Sequence, residues 1–202
     1  MTLILPRRLL FAAPAVITLP AAAQVMRTPA QMEGPYYPRA IPADADDDLL
    51  QVAGQPRAAR GQRLLLGGVV RGRDGAPMAG ARVQIWQADA AGIYLHPGDA
   101  RFAERDPGFQ GYGATRTTEA GGYAFRTIRP GLYPGRTPHI HMRITAPDGR
   151  TELTTQAYFP DAPRNDRDML LRSLSGADRA LLMVELTPMD DGARARFDIV
   201  LG

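Results

Sequence analysis

Three histidines occur in 202 residues, and two of them stand one residue apart in His139-Ile140-His141. On a β-strand side chains alternate between faces, so both imidazoles would project from one face while Ile140 turns to the other. Two nitrogen donors one strand repeat apart make half of a metal site. A pair of solvent-facing histidines would share that spacing, although Pro138 directly before them fixes where the strand can begin. Two tyrosines stand close by in sequence. Tyr133 lies in the turn-rich run Pro130-Gly131-Leu132-Tyr133-Pro134-Gly135, six residues before His139, and Tyr94 closes Asp89-Ala90-Ala91-Gly92-Ile93-Tyr94. A phenol has a pKa near 10, so binding as phenolate requires a strong Lewis acid to displace the proton. Ferric iron is such an ion, hard enough for oxygen donors and tolerant of imidazole. Most tyrosines instead pack with the hydroxyl bonded to backbone. That is the reading for Tyr36, Tyr37, Tyr112, Tyr123 and Tyr158.

These residues need rigid elements to place them. Leu64–Val70, Ala81–Gln87, Tyr123–Ile128, His139–Ile144, Leu153–Phe159 and Phe197–Leu201 read as strands, separated by Gly, Pro and Asp. The pattern predicts a mainly β protein, an antiparallel β-sandwich with one short C-terminal helix over Ala177–Leu186 capped by Ser175. The 21 glycines and 18 prolines agree, because both residue types disfavour helix interiors. Residues 24–60 are rich in proline, including Gly34-Pro35-Tyr36-Tyr37-Pro38, and are expected to drape over the domain as an extended arm.

Composition narrows the function. All 24 basic residues are arginine, and no basic cluster of the kind that binds nucleic acid stands out. The acidic run from Asp44 to Asp48 reads as a solvated loop. The absence of cysteine excludes disulfides, thiolate metal sites, a lipoprotein anchor and a cysteine nucleophile. Residues 1–23 carry Arg7-Arg8, an apolar stretch from Leu9 to Leu19 and Ala21-Ala22-Ala23, the layout of a secretory signal. The expectation is an exported protein, periplasmic or extracellular, with no membrane span once the signal is removed. The arginine pair also suggests a twin-arginine signal, although Pro6 stands where a polar residue is usual. Its removal lowers the formal charge from +3 to +1 and leaves 24–202 as one domain.

Four motifs in order resemble the intradiol ring-cleavage dioxygenases: Glu33-Gly34-Pro35-Tyr36-Tyr37-Pro38; Gly80 to Tyr94 with Ile85-Trp86-Gln87-Ala88-Asp89; Thr127-Ile128 followed by Pro130-Gly131 and Tyr133-Pro134; and Arg136-Thr137-Pro138-His139-Ile140-His141. The resemblance covers roughly residues 28 to 200. It implies non-haem Fe(III) held by Tyr94, Tyr133, His139 and His141, with hydroxide as a fifth ligand and Tyr133 leaving the metal when substrate arrives. It further implies Arg136 over the substrate ring and Gln156 orienting substrate and oxygen. The reaction implied is cleavage of a catecholic ring by O2 to a cis,cis-muconate-type dicarboxylate.

The chain also departs from the protocatechuate members of that family. Gly135 follows Tyr133-Pro134 directly and the loop to His139 is short, so the pocket wall is missing or rebuilt. That puts protocatechuate itself in question. His96, two residues after Tyr94, is a rival ligand that the family pattern does not require. Two other readings remain at this level. A transthyretin-like β-sandwich binding extracellular carbohydrate or protein without catalysis would suit the Gly80–Trp86 pattern. A zinc hydrolase built on His139 and His141 lacks an evident third ligand. The oligomeric state, a homo-oligomer included, is not legible.

Overall fold

The computed structural model describes residues 25–202. The signal expected over residues 1–23 lies outside them. Two sheets pack face to face. The first has the order β4-β1-β8-β7, built from β1 (Arg63–Arg71), β4 (Gly122–Ile128), β7 (Glu185–Met189) and β8 (Gly192–Arg196), with β9 (Ile199–Val200) pairing to the end of β1. The second has the order β3-β2-β5-β6, from β2 (Arg82–Trp86), β3 (Tyr112–Arg116), β5 (His139–Thr145) and β6 (Glu152–Tyr158). The second sheet is antiparallel throughout. The first is mixed, because β8 and β9 run parallel to β1. The expected sandwich is present, with that one difference in strand direction.

Alternation explains the core. Leu64, Leu66 and Val70 of β1, Tyr123 and Phe125 of β4, Val83 and Ile85 of β2, and Ile140, Met142 and Ile144 of β5 are all buried in one cluster between the sheets. Each such side chain contributes about 1.5–3 kcal/mol by leaving water. The arm is more than a surface strap. Thr28 and Val200 exchange two bonds, the Thr28 N–H donating to the Val200 carbonyl (3.2 Å) and the Val200 N–H to Thr28 Oγ1 (2.9 Å). Gln31 N–H donates to the Thr154 carbonyl (2.8 Å), and Leu49 and Leu50 sink into the core.

The C-terminal helix is shorter than expected. Two brief helices occur, α1 (Met169–Arg172) and α2 (Gly176–Leu181), and Ser175 Oγ does cap α2, accepting from the Asp178 N–H at 3.0 Å. The expected stretch to Leu186 fails because backbone pairing intervenes. The Leu182 carbonyl accepts from Tyr158 N–H (2.8 Å) and Val184 N–H donates to the Tyr158 carbonyl (2.9 Å), which turns the chain into β7. Strands β3, β7 and β8 were not expected. Their sequences, small, proline-bearing or Ala-Arg alternating, carry little apolar signal. Among the described residues no helix is long and apolar enough to cross a membrane.

Candidate metal centre

The outward face of the second sheet carries the chemistry. Cross-strand register aligns Tyr112, Trp86, His141 and Gln156 in one row, and His139 with Tyr158 in the next. His139 and His141 are both buried and face the same way. His139 Nδ1 lies 2.7 Å from the Thr137 carbonyl, which fixes Nδ1–H as donor and leaves the Nε2 lone pair directed into the site. The two Nε2 atoms are 3.1 Å apart, and Tyr94 Oη lies 3.3 Å from His139 Nε2. His141 stacks flat on Trp86, with ring centroids 5.0 Å apart.

Tyr94 and Tyr133 arrive on two loops that touch backbone to backbone. The Asp89 carboxylate accepts from Ala91 and Ile93 N–H (2.8 and 3.0 Å), and Asp99 accepts from Tyr94 N–H at 2.9 Å. Gly131 N–H donates to the Asp89 carbonyl at 2.9 Å. A Cβ on Gly92 (φ +77°) would lie 2.0 Å from the Leu132 carbonyl oxygen, and one on Gly131 would lie 2.3 Å from that of Ala90. Only glycine permits this contact. The Tyr133 ring then stands 5.7 Å from that of Tyr94 and 6.4 Å from that of His139.

The electrostatics suit a cation. Burial, and then the Arg136 charge, lowers the His139 pKa to about 4, against the pull of its Thr137 bond. Burial together with its neighbours His139 and Arg136 drives His141 well below its ordinary value. Both rings therefore stay neutral with their Nε2 atoms facing each other. Burial pushes the Tyr94 phenol far up, an effect the Arg136 charge offsets only in part. A phenol so placed ionises only for a strongly charged partner. Two neutral imidazoles and two phenols fit a hard, highly charged transition-metal ion of the ferric kind. Among the described residues no three His, Cys, Asp or Glu side chains cluster, so the zinc hydrolase reading gains no third ligand.

A profile of the Dioxygenase family matches residues 32–202. The chain is 35% identical to the protocatechuate 3,4-dioxygenase beta chain of Burkholderia cepacia, over 77% of this chain and 71% of that one. The chain belongs to the intradiol ring-cleavage dioxygenases. Catechol 1,2-dioxygenase 2 of Acinetobacter lwoffii is 29% identical over 79% of this chain, which spans 61% of that enzyme. A structural neighbour is the dioxygenase domain of a dioxygenase carbohydrate-binding protein fusion from Streptomyces sp. SirexAA-E. It superposes with a TM-score of 0.70 at 37% identity, covering 87% of this chain and 98% of that domain.

Around the His139 and Tyr94 donor atoms the dioxygenase builds a buried network. Arg136 Nη1 lies 3.4 Å from His139 Nε2, and Nη2 donates to Gln156 Oε1 (2.8 Å) and Tyr158 Oη (3.0 Å). Arg136 Nε donates to Asp168 Oδ2 at 2.8 Å. Gln156 Nε2 donates to the Met32 carbonyl of the arm (2.9 Å), which turns its oxygen toward Arg136. Asp168 and Tyr158 were not anticipated as site residues. Tyr158 had a signal, since it shares a strand face with Gln156. Asp168 had none, because it lies 32 residues from Arg136 and reads locally as a helix cap. Tyr36, expected only to pack, stacks on Tyr94 at 4.8 Å and meets Tyr133 edge-on at 5.7 Å, so it roofs the site. Tyr37, Tyr112 and Tyr123 do pack, with hydroxyls bonded to Gln84 and the Phe197 carbonyl. His96 is buried beside Tyr36, its Nδ1 accepting from Gly98 N–H at 3.0 Å.

Proposed function

We propose that this dioxygenase uses non-haem Fe(III) and O2 to cleave a catecholic ring between its hydroxyl-bearing carbons, giving a cis,cis-muconate-type dicarboxylate. The observation that carries the reading is that His139 Nε2 lies 3.3 Å from Tyr94 Oη and 3.1 Å from His141 Nε2, with Tyr133 beside them, in a chain of this family. Tyr94, Tyr133, His139 and His141 would hold the iron. When bound it supplies Lewis acidity, drawing electron density from a chelated catecholate so that the ring becomes open to O2.

The protein's own groups supply the rest. Tyr133 is half-buried on a Gly-Pro loop, whereas Tyr94 is almost wholly enclosed. Tyr133 is therefore the phenol able to give way to substrate, its Oη taking one catechol proton as it does so. Tyr94 stays fixed under Tyr36. Arg136, clamped by Asp168, Gln156 and Tyr158, presents its guanidinium where negative charge develops on the ring. A preorganised donor there needs no reorganisation during reaction. Trp86, Tyr36 and Tyr37 keep water from the site.

Reconstitution with ferric iron tests the proposal. A red-brown phenolate-to-iron band and catechol-dependent O2 uptake are expected, and the band should fade in Tyr94→Phe and Tyr133→Phe. A colourless protein that retains iron would overturn the ligand set. We place the mature protein outside the cytoplasm, its first residue Gln24. N-terminal sequencing of the secreted or periplasmic product checks this, and retention of residues 1–23 refutes it.

A further inference from the structure

The two site histidines are held in different ways. His139 is oriented by its Nδ1–H bond to the Thr137 carbonyl at 2.7 Å. His141 Nδ1 is buried, and no group among the described residues bonds to it. A histidine that ligates a metal nearly always donates its second ring N–H, and that bond sets the angle of the ring. For His141 the angle must come from what packs on it. Trp86 stacks on its face, 8° from parallel with ring centroids 5.0 Å apart. The backbone of the N-terminal arm crosses its edge: a Cβ on Gly34 (φ +75°) would stand 3.2 Å from His141 Cε1 and 3.6 Å from Nε2.

Both contacts lead to one side chain. Arg143 stands two residues beyond His141 on the same face of β5, opposite Gln84 as His141 is opposite Trp86. Its guanidinium lies 4.4 Å from the centre of the Tyr37 ring and 5.9 Å from that of Trp86, within range of cation–π attraction. Tyr37 in turn meets Trp86 edge-on at 5.0 Å, and its hydroxyl accepts from Gln84 Nε2 at 2.9 Å. Arg143 Nη2 donates to Glu33 Oε2, and Nε lies 3.5 Å from Glu152 Oε1. Glu33 directly precedes Gly34. One guanidinium thus ties the indole under the imidazole to the arm turn that crosses it.

The arm does not need Arg143 in order to dock. Thr28 bonds to Val200, Gln31 to Thr154 and the Met32 carbonyl to Gln156 without it. What Arg143 adds is local to the turn over the His141 ring. We infer that Arg143 is a positioning residue for His141: by pinning Glu33 and covering Tyr37 and Trp86, it fixes the angle at which Nε2 faces the other donor atoms. The inference rests on the metal-site reading above. Arginine suits the task because its flat guanidinium stacks on aromatic rings while its N–H groups bond sideways to a carboxylate.

The test reads the ring itself in metal-free protein. The chain has three histidines, so NMR can assign each Cε1–H line through His96→Gln and His139→Gln. Stacking on the indole holds the His141 line upfield. Arg143→Gln should move it toward the position of an unstacked imidazole, with the His139 and His96 lines in place. Ferric-ion affinity, measured by competition with nitrilotriacetate and normalised to folded protein, should fall roughly 10–100-fold. Glu33→Gln, which leaves β5 unaltered, should shift the same line by less, and it carries the test if Arg143→Gln does not fold. Arg126→Gln, which removes an equal charge from the other sheet, should change neither quantity. An unmoved His141 line, three lines moving together, or a lower melting temperature with ferric affinity intact would overturn the assignment. If wild-type protein binds no ferric ion, the metal-site reading falls, and the His141 line alone then judges Arg143.

Discussion

The two sheets share one core but treat their outer faces oppositely. On the first sheet the outward positions include Arg63, Arg194 and Arg196, open to solvent, with Arg63 and Arg196 paired to the surface carboxylates of Asp191 and Asp198. On the second sheet the outward positions include Trp86, His139, His141, Gln156 and Tyr158, all buried beneath the N-terminal arm and the Tyr94 and Tyr133 loops. Burying polar groups costs free energy unless each finds a partner. Here most do, but Trp86 Nε1 and His141 Nδ1 do not, and both lie on this face. Each such exception in a folded chain calls for an explanation, and a site kept for function is one. One face of a single strand thus stabilises the fold, and the other is stabilised by it.

The sharpest way to test that division is to change neighbours on β5. His141→Ala removes a group from the outer face and should lower catechol-dependent O2 uptake by about a thousandfold or more, the scale on which single electrostatic and metal-held groups act. Its thermal stability without metal should hold or rise, since a buried polar ring with an unpartnered nitrogen is lost. Ile140→Ala, one residue away, should cost about 2–5 kcal/mol of stability by leaving a cavity. Iron binding per folded molecule should remain. Denaturant melts alongside metal analysis check both. If His141→Ala unfolds the protein and Ile140→Ala abolishes iron binding, the division is wrong.

The same strand shows why part of the site was legible. Period two alone puts His139 and His141 on one face, and the Gly-Pro spacing around Tyr133 marks a loop able to reach them. What could not be read depends on tertiary pairing. Gln156 came only with the family resemblance, since it lies opposite His141 through the β5–β6 register, and Asp168 was missed because it meets Arg136 from a helix cap. Tyr36 reads as one more aromatic in a proline-rich arm until the arm folds onto Tyr94. The fold behaves likewise. Strands with apolar alternation were visible, whereas β8, alternating alanine with arginine, is a strand only because β1 and β7 flank it.

Acid should separate the faces next. In the folded metal-free protein His139 has a pKa of about 4, against about 6.5 in an unfolded chain. Between those values the unfolded chain binds a proton that the folded one refuses, so stability falls as pH drops through that window. The loss is on the order of 3 kcal/mol and levels off below the folded value. His139→Gln should make the profile from pH 6.5 to 5 shallower without levelling it, because burial holds the His141 pKa down as well, measured as the denaturant midpoint of metal-free protein. Iron, by holding the ring neutral, should flatten it as well. A variant as acid-sensitive as wild type would remove His139 from the account.

The smallest effect belongs to the open face. Arg126 Nη1 donates to Asp48 Oδ2 at 2.6 Å, but the arginine side chain is 59% exposed. Water and salt screen such a pair, and holding two long side chains together has an entropic cost, so the net gain is about 0–1 kcal/mol. The backbone contact of the segment does not depend on it, because Leu49 N–H donates to the Arg126 carbonyl and Arg126 N–H to that of Asp47, both at 2.8 Å. Asp48 also caps Leu50 through Oδ1 at 3.1 Å, so the arginine is the partner to change. Arg126→Gln should move the denaturant midpoint by no more than an exposed pair allows, leaving iron content and kcat/KM as in wild type. A drop above about 2 kcal/mol, or a loss of iron, would mean that this sheet's outer face is coupled to the metal side through the arm.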